Sequence, residues 1–409
     1  MTEPFDHLLE KYARLVVRVG VNVQPGQHVV VSALPEQADA ARAIADEAYR
    51  VGASRVEITY NDPFVKRAAV EHGPEELLGT SQEHEFVRAR GWKQTRPAMI
   101  SLTGNPHPTL MDGLDPARLA KAIPIELVQE TMPLITTNQV AWTVVGAPTK
   151  GWADSVGVSD VTALWDAVAT SMRLDEADPV AAWQAHVAKL KDRAAILNEH
   201  GFDRVRYRGP GTDLTLGLTP RSRWVGGSVE NEAGVEFVPN MPTEEVFVSP
   251  DWRRAEGVVR TSAPFFLASM GALVEGLALE VRDGTVTGAT AERGEEAVQA
   301  QFDLIPRSRH FGEVAIVDAD SAVAATGLVY KDMLFDENVG SHIAWGMGYT
   351  TAMDDTVGLT PEQRIDEGLN QANTHVDIVI GSPEVQIDGI HADGSTVAVT
   401  RGNQFVLTD

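Results

Sequence analysis

Apolar positions along the first sixty residues alternate between two periods. Leu8, Leu9, Tyr12, Leu15, Val16 and Val19 recur at helical spacing and predict a helix over residues 7–19 with one buried face. The turn Gln24-Pro25-Gly26 ends it, and the uninterrupted run His28–Ser32 reads as a buried strand. A second helical pattern over residues 35–51 opens near Pro35 and is closed by Gly52; residues 56–60 and 99–102 read as further strands. Strand, helix, strand in that order predicts an α/β domain with a mostly parallel sheet and helices on its faces. The stretch after the first strand, Ser32-Ala33-Leu34-Pro35, is not the glycine-rich turn that cradles a phosphate, which argues against a nucleotide cofactor.

A long helical pattern over residues 178–200, with Trp183, Val187, Leu190, Ile196 and Leu197 as core positions, separates this half from a different one. Beyond Gly201 come short strand candidates at residues 204–207, 214–218, 224–225 and 235–238, broken by Gly, Pro and Asn. The expected organisation is an α/β N-terminal domain over residues 1–195 and a β-rich α+β C-terminal domain over residues 196–409. The chemistry-bearing residues are concentrated in the second.

Strand geometry sharpens that concentration. In the alternating segment THVDIVIG, His375 and Asp377 are two residues apart and share a face, while Val376 and Ile378 take the other. Glu313 opens the apolar run of GEVAIV, where a carboxylate must be exposed, paired or metal-bound. Glu244 and Glu245 precede Val246-Phe247-Val248. Being adjacent on a strand, only one of them points straight into a given site. Glu337 and His342 flank Gly340-Ser341, where the chain can turn tightly. Tyr349 follows His342 by seven residues. It shares its face if the segment is helical and opposes it if extended, and the spacing leaves both open.

Composition narrows what these groups can do. The chain has 409 residues and no cysteine, so disulfides, thiolate metal sites and a cysteine nucleophile are excluded. Any metal must be held by oxygen and imidazole nitrogen, ligands that suit zinc, cobalt, magnesium or manganese alike. The formal net charge of -24 disfavours nucleic acid and anionic membranes as partners. No run of about 18 apolar residues reads as a membrane span, and the acidic start MTEPFDHLLEKYARL lacks the features of a signal peptide, so a cytoplasmic location is expected. The remaining inventory is several carboxylates, two imidazoles and a tyrosine. It is what two divalent ions sharing a bridging carboxylate and a water require.

The same segments carry a resemblance. RVGVNVQPGQ, EAYRVGAS, GPGTDLTLGL, NMPTEEVF, EGVVR, GEVAIV, FDENVGSHIAWGMGY and HVDIVIGSPE, in this order and nearly end to end, make the chain similar to the aminopeptidase T family of metallopeptidases, also called thermophilic aminopeptidases. The resemblance implies a broad-specificity aminopeptidase acting on peptides with a free N-terminus, a two-metal C-terminal domain and a homodimer. It implies Glu245 as the metal-binding carboxylate of its motif, Glu313 as the bridging ligand, and Glu337, His342, His375 and Asp377 as the remaining ligands. It marks Tyr349 as a catalytic residue near the metals. Glu244 is then the candidate to carry the proton from water to the leaving amine. The competing readings are another two-metal hydrolase, such as a carboxypeptidase or amidase, and a non-enzymatic metal- or peptide-binding protein.

Overall fold

Five strands whose neighbours all run parallel form the first sheet, in the order Asn240–Met241, Trp142–Gly146, Ala98–Thr103, His28–Ala33, Arg55–Tyr60. Parallel neighbours require crossovers, and the helix Ala38–Arg50 supplies one between His28–Ala33 and Arg55–Tyr60. The computed structural model describes residues 5–107, 109–267 and 269–408. The opening helical pattern is realised as an α-helix over Phe5–Leu15 continued by a π-helical turn, Val16–Gly20. All six of its expected core positions are buried.

In open α/β sheets, ligands enter the crevice at the carboxyl ends of the strands where strand order reverses. Close to that end of the sheet one polar side chain is buried. Gln37 is buried, donates from Nε2 to the carbonyls of Thr103 (2.8 Å) and Ala147 (3.2 Å), and accepts the Leu34 N–H at Oε1 (2.9 Å).

The chain divides into two compact units. One holds the residues up to Gln184 together with Ser228–Met241; the other holds Ala185–Gly227 and Pro242 onward. This differs from a single break between residues 195 and 196. The division falls inside the helix Pro179–His200, and the segment around Glu236–Phe237, expected in the β-rich half, belongs to the first unit. The reason is Asn240–Met241, which joins the edge of the parallel sheet beside Val144 and Val145.

The second unit contains two larger antiparallel sheets. Eight strands run in the order Thr285–Thr290, Ala278–Arg282, Ala255–Arg260, Thr212–Gly217, Arg204–Gly209, Gln386–Ile390, Thr396–Arg401, Gln404–Phe405. Five run in the order His375–Val379, His342–Gly346, Phe311–Val317, Glu245–Val248, Val225–Gly226. The second sheet contributes Val246, Val248, Val314, Ile316, Ile343, Trp345, Val376 and Ile378 to a hydrophobic core. Leu214, Leu216, Val259 and Leu279 from the first sheet join the same core. Each such aliphatic side chain stabilises by about 1.5–3 kcal/mol when fully buried, so the register of the five-stranded sheet is strongly fixed.

Candidate metal centre

Fixing that register decides where the polar residues go. With one set of alternate positions in the core, the other set shares the opposite face: Glu245, Glu313, Ala315, His342, Ala344, His375 and Asp377. Glu313 is paired with Ala344, and Ala344 with Asp377, so a methyl group is all that separates two carboxylates across three strands. The ladder slips between Phe311 and Glu313, a bulge at Gly312. A Cβ at Gly312 would lie 2.3 Å from the Met347 carbonyl oxygen, so only glycine permits that approach.

The ligand atoms converge in two sets that share one residue. Glu245, Glu313 and His342 each bring an atom within 4.8 Å of the others, and so do Glu313, His375 and Asp377. His342 Nε2 is 2.9 Å from Glu245 Oε2 and 3.5 Å from Glu313 Oε1. His375 Nε2 is 3.6 Å from Glu313 Oε2 and 3.3 Å from Asp377 Oδ1. The other ring nitrogens lie against backbone carbonyls, Nδ1 of His342 at Gly340 (3.1 Å) and Nδ1 of His375 at Met347 (2.7 Å). With Nδ1 donating, each Nε2 is left with its lone pair facing the cluster, the arrangement metal-binding imidazoles adopt.

Glu245 Oε2, His342 Nε2 and Asp377 Oδ1 are buried and make no hydrogen bond. Glu245 Oε2 and His342 Nε2 lie 2.9 Å apart yet make no hydrogen bond with each other. Buried polar atoms without partners are costly. A divalent cation would satisfy them, and the donor set of carboxylate oxygens and imidazole nitrogens fits one.

The electrostatics show the same crowding. Burial, then the Glu245 and Asp377 charges, raise the Glu313 carboxyl to about 7, against the opposing pull of the neighbouring His342 and His375 imidazoles. Burial would lower His375, but Asp377 and Glu313 raise it to about 9. His342 is likewise raised against the effect of burial, chiefly by Glu245. Asp377 is lowered, the neighbouring His375 outweighing its burial.

The remaining expected residues take other positions. Glu337 opens the 3₁₀ turn Glu337–Val339 and belongs to neither converging set; burial, followed by the charges of Asp377 and Glu245, raises its carboxyl well above the usual range. Tyr349 lies beyond the strand His342–Gly346, its ring 4.8 Å from that of His375, and is 37% exposed. The segment between His342 and Tyr349 is extended, then turns at Gly346 (φ 101°). This turn removes the parity argument that would have put Tyr349 on the far face. Glu244 is buried, accepts the Ala322 N–H (3.3 Å) and lies 3.5 Å from His186 Nε2; it is in neither converging set. His310, two residues before the bulge, turns to the Gly284 carbonyl (2.8 Å).

Sequence reasoning missed the polar residues that hold this arrangement. Asn338 accepts the Glu244 N–H (2.6 Å), Asn370 donates to the Gly346 carbonyl (2.5 Å), and Ser249 bonds the backbone of Tyr349. Loop asparagines and serines give no periodic signal, so nothing in spacing distinguishes these from solvated ones.

Comparison with known proteins identifies the family. The model of the thermophilic metalloprotease family (M29) matches residues 5–405. The chain belongs to that family. Aminopeptidase T of Thermus aquaticus is 38% identical to it, over 99% of this chain and 100% of its own length. Aminopeptidase PepS of Streptococcus thermophilus is 36% identical, over 98% of this chain and 99% of its own. The solved structure of wild-type AmpT from Thermus thermophilus superposes with a TM-score of 0.90 at 36% identity, covering 98% of this chain and 100% of that one. The chain is a metallo-aminopeptidase, a hydrolase that depends on divalent metal. Membership sets aside the reading as a non-enzymatic binding protein. Among the described residues, no helix is long and apolar enough to cross a membrane.

Proposed function

We propose that this enzyme removes single residues from the free N-terminus of peptides at a centre of two divalent ions bridged by Glu313. Glu245 and His342 would be further protein ligands of one ion, and His375 and Asp377 of the other; Glu337, expected as a ligand from the resemblance, lies outside both converging sets and is given the proton-carrying role instead. The observation that carries this reading is that Glu313 belongs to both converging sets. A second support is charge. Glu245, Glu313, Glu337 and Asp377 offer four negative charges, which two divalent cations balance.

Two bound ions would polarise the scissile carbonyl and make a water acidic enough to ionise near neutral pH. The chain's own groups do the rest. The Tyr349 hydroxyl is protonated at neutral pH, as any phenol is, and the Glu313 and Asp377 charges oppose its ionisation further, so it can donate a hydrogen bond to the carbonyl oxygen as negative charge develops there. The proton-carrying role, given to Glu244 on sequence grounds, fits Glu337 better. Glu337 stands beside the ligands but outside both sets, whereas the Glu244 carboxylate is engaged by Ala322 and His186. Glu337 would accept the proton from the attacking water and return it to the leaving amine. The α-amine and the first carbonyl are common to all peptides, so recognition through them gives broad side-chain tolerance. A cytoplasmic homodimer belongs to the same proposal, and light scattering on the purified protein tests the dimer.

The deciding experiment is chelation followed by stepwise return of one metal, assayed on an aminoacyl-nitroanilide and its N-blocked counterpart. Activity should vanish, return as the stoichiometry approaches two ions per chain, and be confined to the free-amine substrate. Full activity at one ion per chain would overturn the two-ion reading. Cleavage of the blocked compound would point instead to an amidase.

A further inference from the structure

Tyr349 sits on a loop, and loops place catalytic groups well only where something fixes their backbone. Here one hydroxyl does so at two points. Ser249 is fully buried; its Oγ accepts the Tyr349 N–H at 3.0 Å and approaches the Tyr349 carbonyl at 3.3 Å as donor. A serine hydroxyl has one proton to give and lone pairs to receive, so a single side chain meets both main-chain polar groups of the tyrosine, and it is the partner of the N–H. Ser249 directly follows the strand Glu245–Val248, which begins with a candidate metal ligand. Its own carbonyl is tied down by the Ser222 hydroxyl at 2.9 Å.

The rest of the loop is fixed as well. Asn370 donates to the Gly346 carbonyl (2.5 Å) and receives the Gly348 N–H at its own carbonyl (2.9 Å), and the Met347 N–H reaches Thr374 O (2.7 Å). These contacts set the strand end and the Met347 carbonyl that orients His375. None of them touches Tyr349. Ser249 is the side chain that holds the Tyr349 N–H, and it shares the Tyr349 carbonyl with the Ala352 N–H (3.1 Å).

We infer that Ser249 is a positioning residue for Tyr349: it sets the backbone from which the phenol reaches the reacting carbonyl, and it acts on turnover through that phenol alone. The inference rests on the catalytic role proposed for Tyr349, and the test separates the two. It is a double-mutant cycle of Ser249→Ala and Tyr349→Phe, read as kcat and KM on an aminoacyl-nitroanilide with the metal-loaded, full-length enzyme, together with metal content. Ser249→Ala should lower kcat roughly ten-fold, since an ångström of misplacement can cost up to about a hundred-fold. KM and metal content should stay near wild type, and Ser249→Ala should cost almost nothing further in the Tyr349→Phe background. An equal loss of kcat in both backgrounds would mean that Ser249 acts as general scaffolding, and the inference would be wrong. An unchanged kcat in Ser249→Ala also overturns it. If Tyr349→Phe itself leaves kcat intact, the catalytic role of Tyr349 falls. A crystal structure of Ser249→Ala then decides the positioning question: a displaced Tyr349 backbone supports it and an unmoved one ends it.

Discussion

The two faces of the five-stranded sheet are made from the same strands, one residue out of phase, and they solve opposite problems. On one face Val246, Val314, Ile316, Ile343, Trp345, Val376 and Ile378 gain stability by leaving water. On the other, Glu245, Glu313, His342 and Asp377 are nearly as buried, yet several of their polar atoms find no partner in the chain. The first face can afford to hold the second in an unfavourable arrangement, because a sheet whose register is fixed by apolar burial cannot slip to relieve the polar side. A metal centre built this way is organised before any ion arrives, and the strain of crowding like charges becomes affinity for cations.

If so, the same strands should fail in different ways when cut on different faces. The largest effect is expected at Glu313. Replacing it with Gln should lower kcat/KM roughly a thousand-fold or more, because Lewis-acid stabilisation is worth several kcal/mol. Elemental analysis should find the metal content reduced for both ions. The chelated Glu313→Gln protein should nevertheless be at least as stable as chelated wild type, since a buried carboxylate among others has been neutralised. A variant that keeps two ions per chain would break the comparison.

On the opposite face of the neighbouring strand, Ile343→Ala should cost about 2–5 kcal/mol in denaturant unfolding through the cavity it leaves. Below its lowered melting temperature it should keep its metal content and most of its kcat. Loss of metal from this variant without loss of stability would show that the two faces are not divided as argued.

How much of this could be read in the sequence follows from the same division. His375 and Asp377 were legible because a strand has a period of two and the apolar partners Val376 and Ile378 mark it. The helix carrying Leu8, Tyr12 and Leu15 was legible for the equivalent reason. Glu245 could be separated from Glu244 only to the extent that one of them must face away, and the family resemblance made the choice. Tyr349 resisted periodicity because Gly346, at φ 101°, breaks the strand between it and His342. The return of Ser228–Met241 to the first unit was invisible, since two residues pairing beside Val144 leave no pattern. Ser249, Asn338 and Asn370 act through hydrogen bonds to partners distant in sequence, Tyr349, Glu244 and Gly346, and composition carries no trace of such pairings.

The smallest predicted effect, and the most specific to the polar face, is on pH. Glu313 titrates near about 7 in the folded chain rather than in the ordinary carboxylate range, and His375 near about 9 rather than 6.5. Both are raised above their unfolded values, so in the metal-free protein the stability linked to their protonation is complete below the unfolded pKa of each. It is lost as pH rises, first through about 7 and then through about 9. Asp377 is shifted downward, so its contribution is lost only in acid and does not enter this window. Chelated protein should therefore unfold more easily at pH 9 than at pH 6, with a slope up to about 1.4 kcal/mol per pH unit for each proton released. Metal must reverse the sign. The ligands bind deprotonated, so affinity should rise across the same window and binding should release protons, measurable by titration calorimetry in buffers of different ionisation enthalpy. Ile343→Ala should shift both stability curves down without changing their slopes, whereas Glu313→Gln should make the step near pH 7 shallower, Asp336, which burial also raises to about 7, supplying what remains in the stability curve. Equal slopes in all three proteins would show that the pH dependence arises somewhere other than the face that carries the ligands.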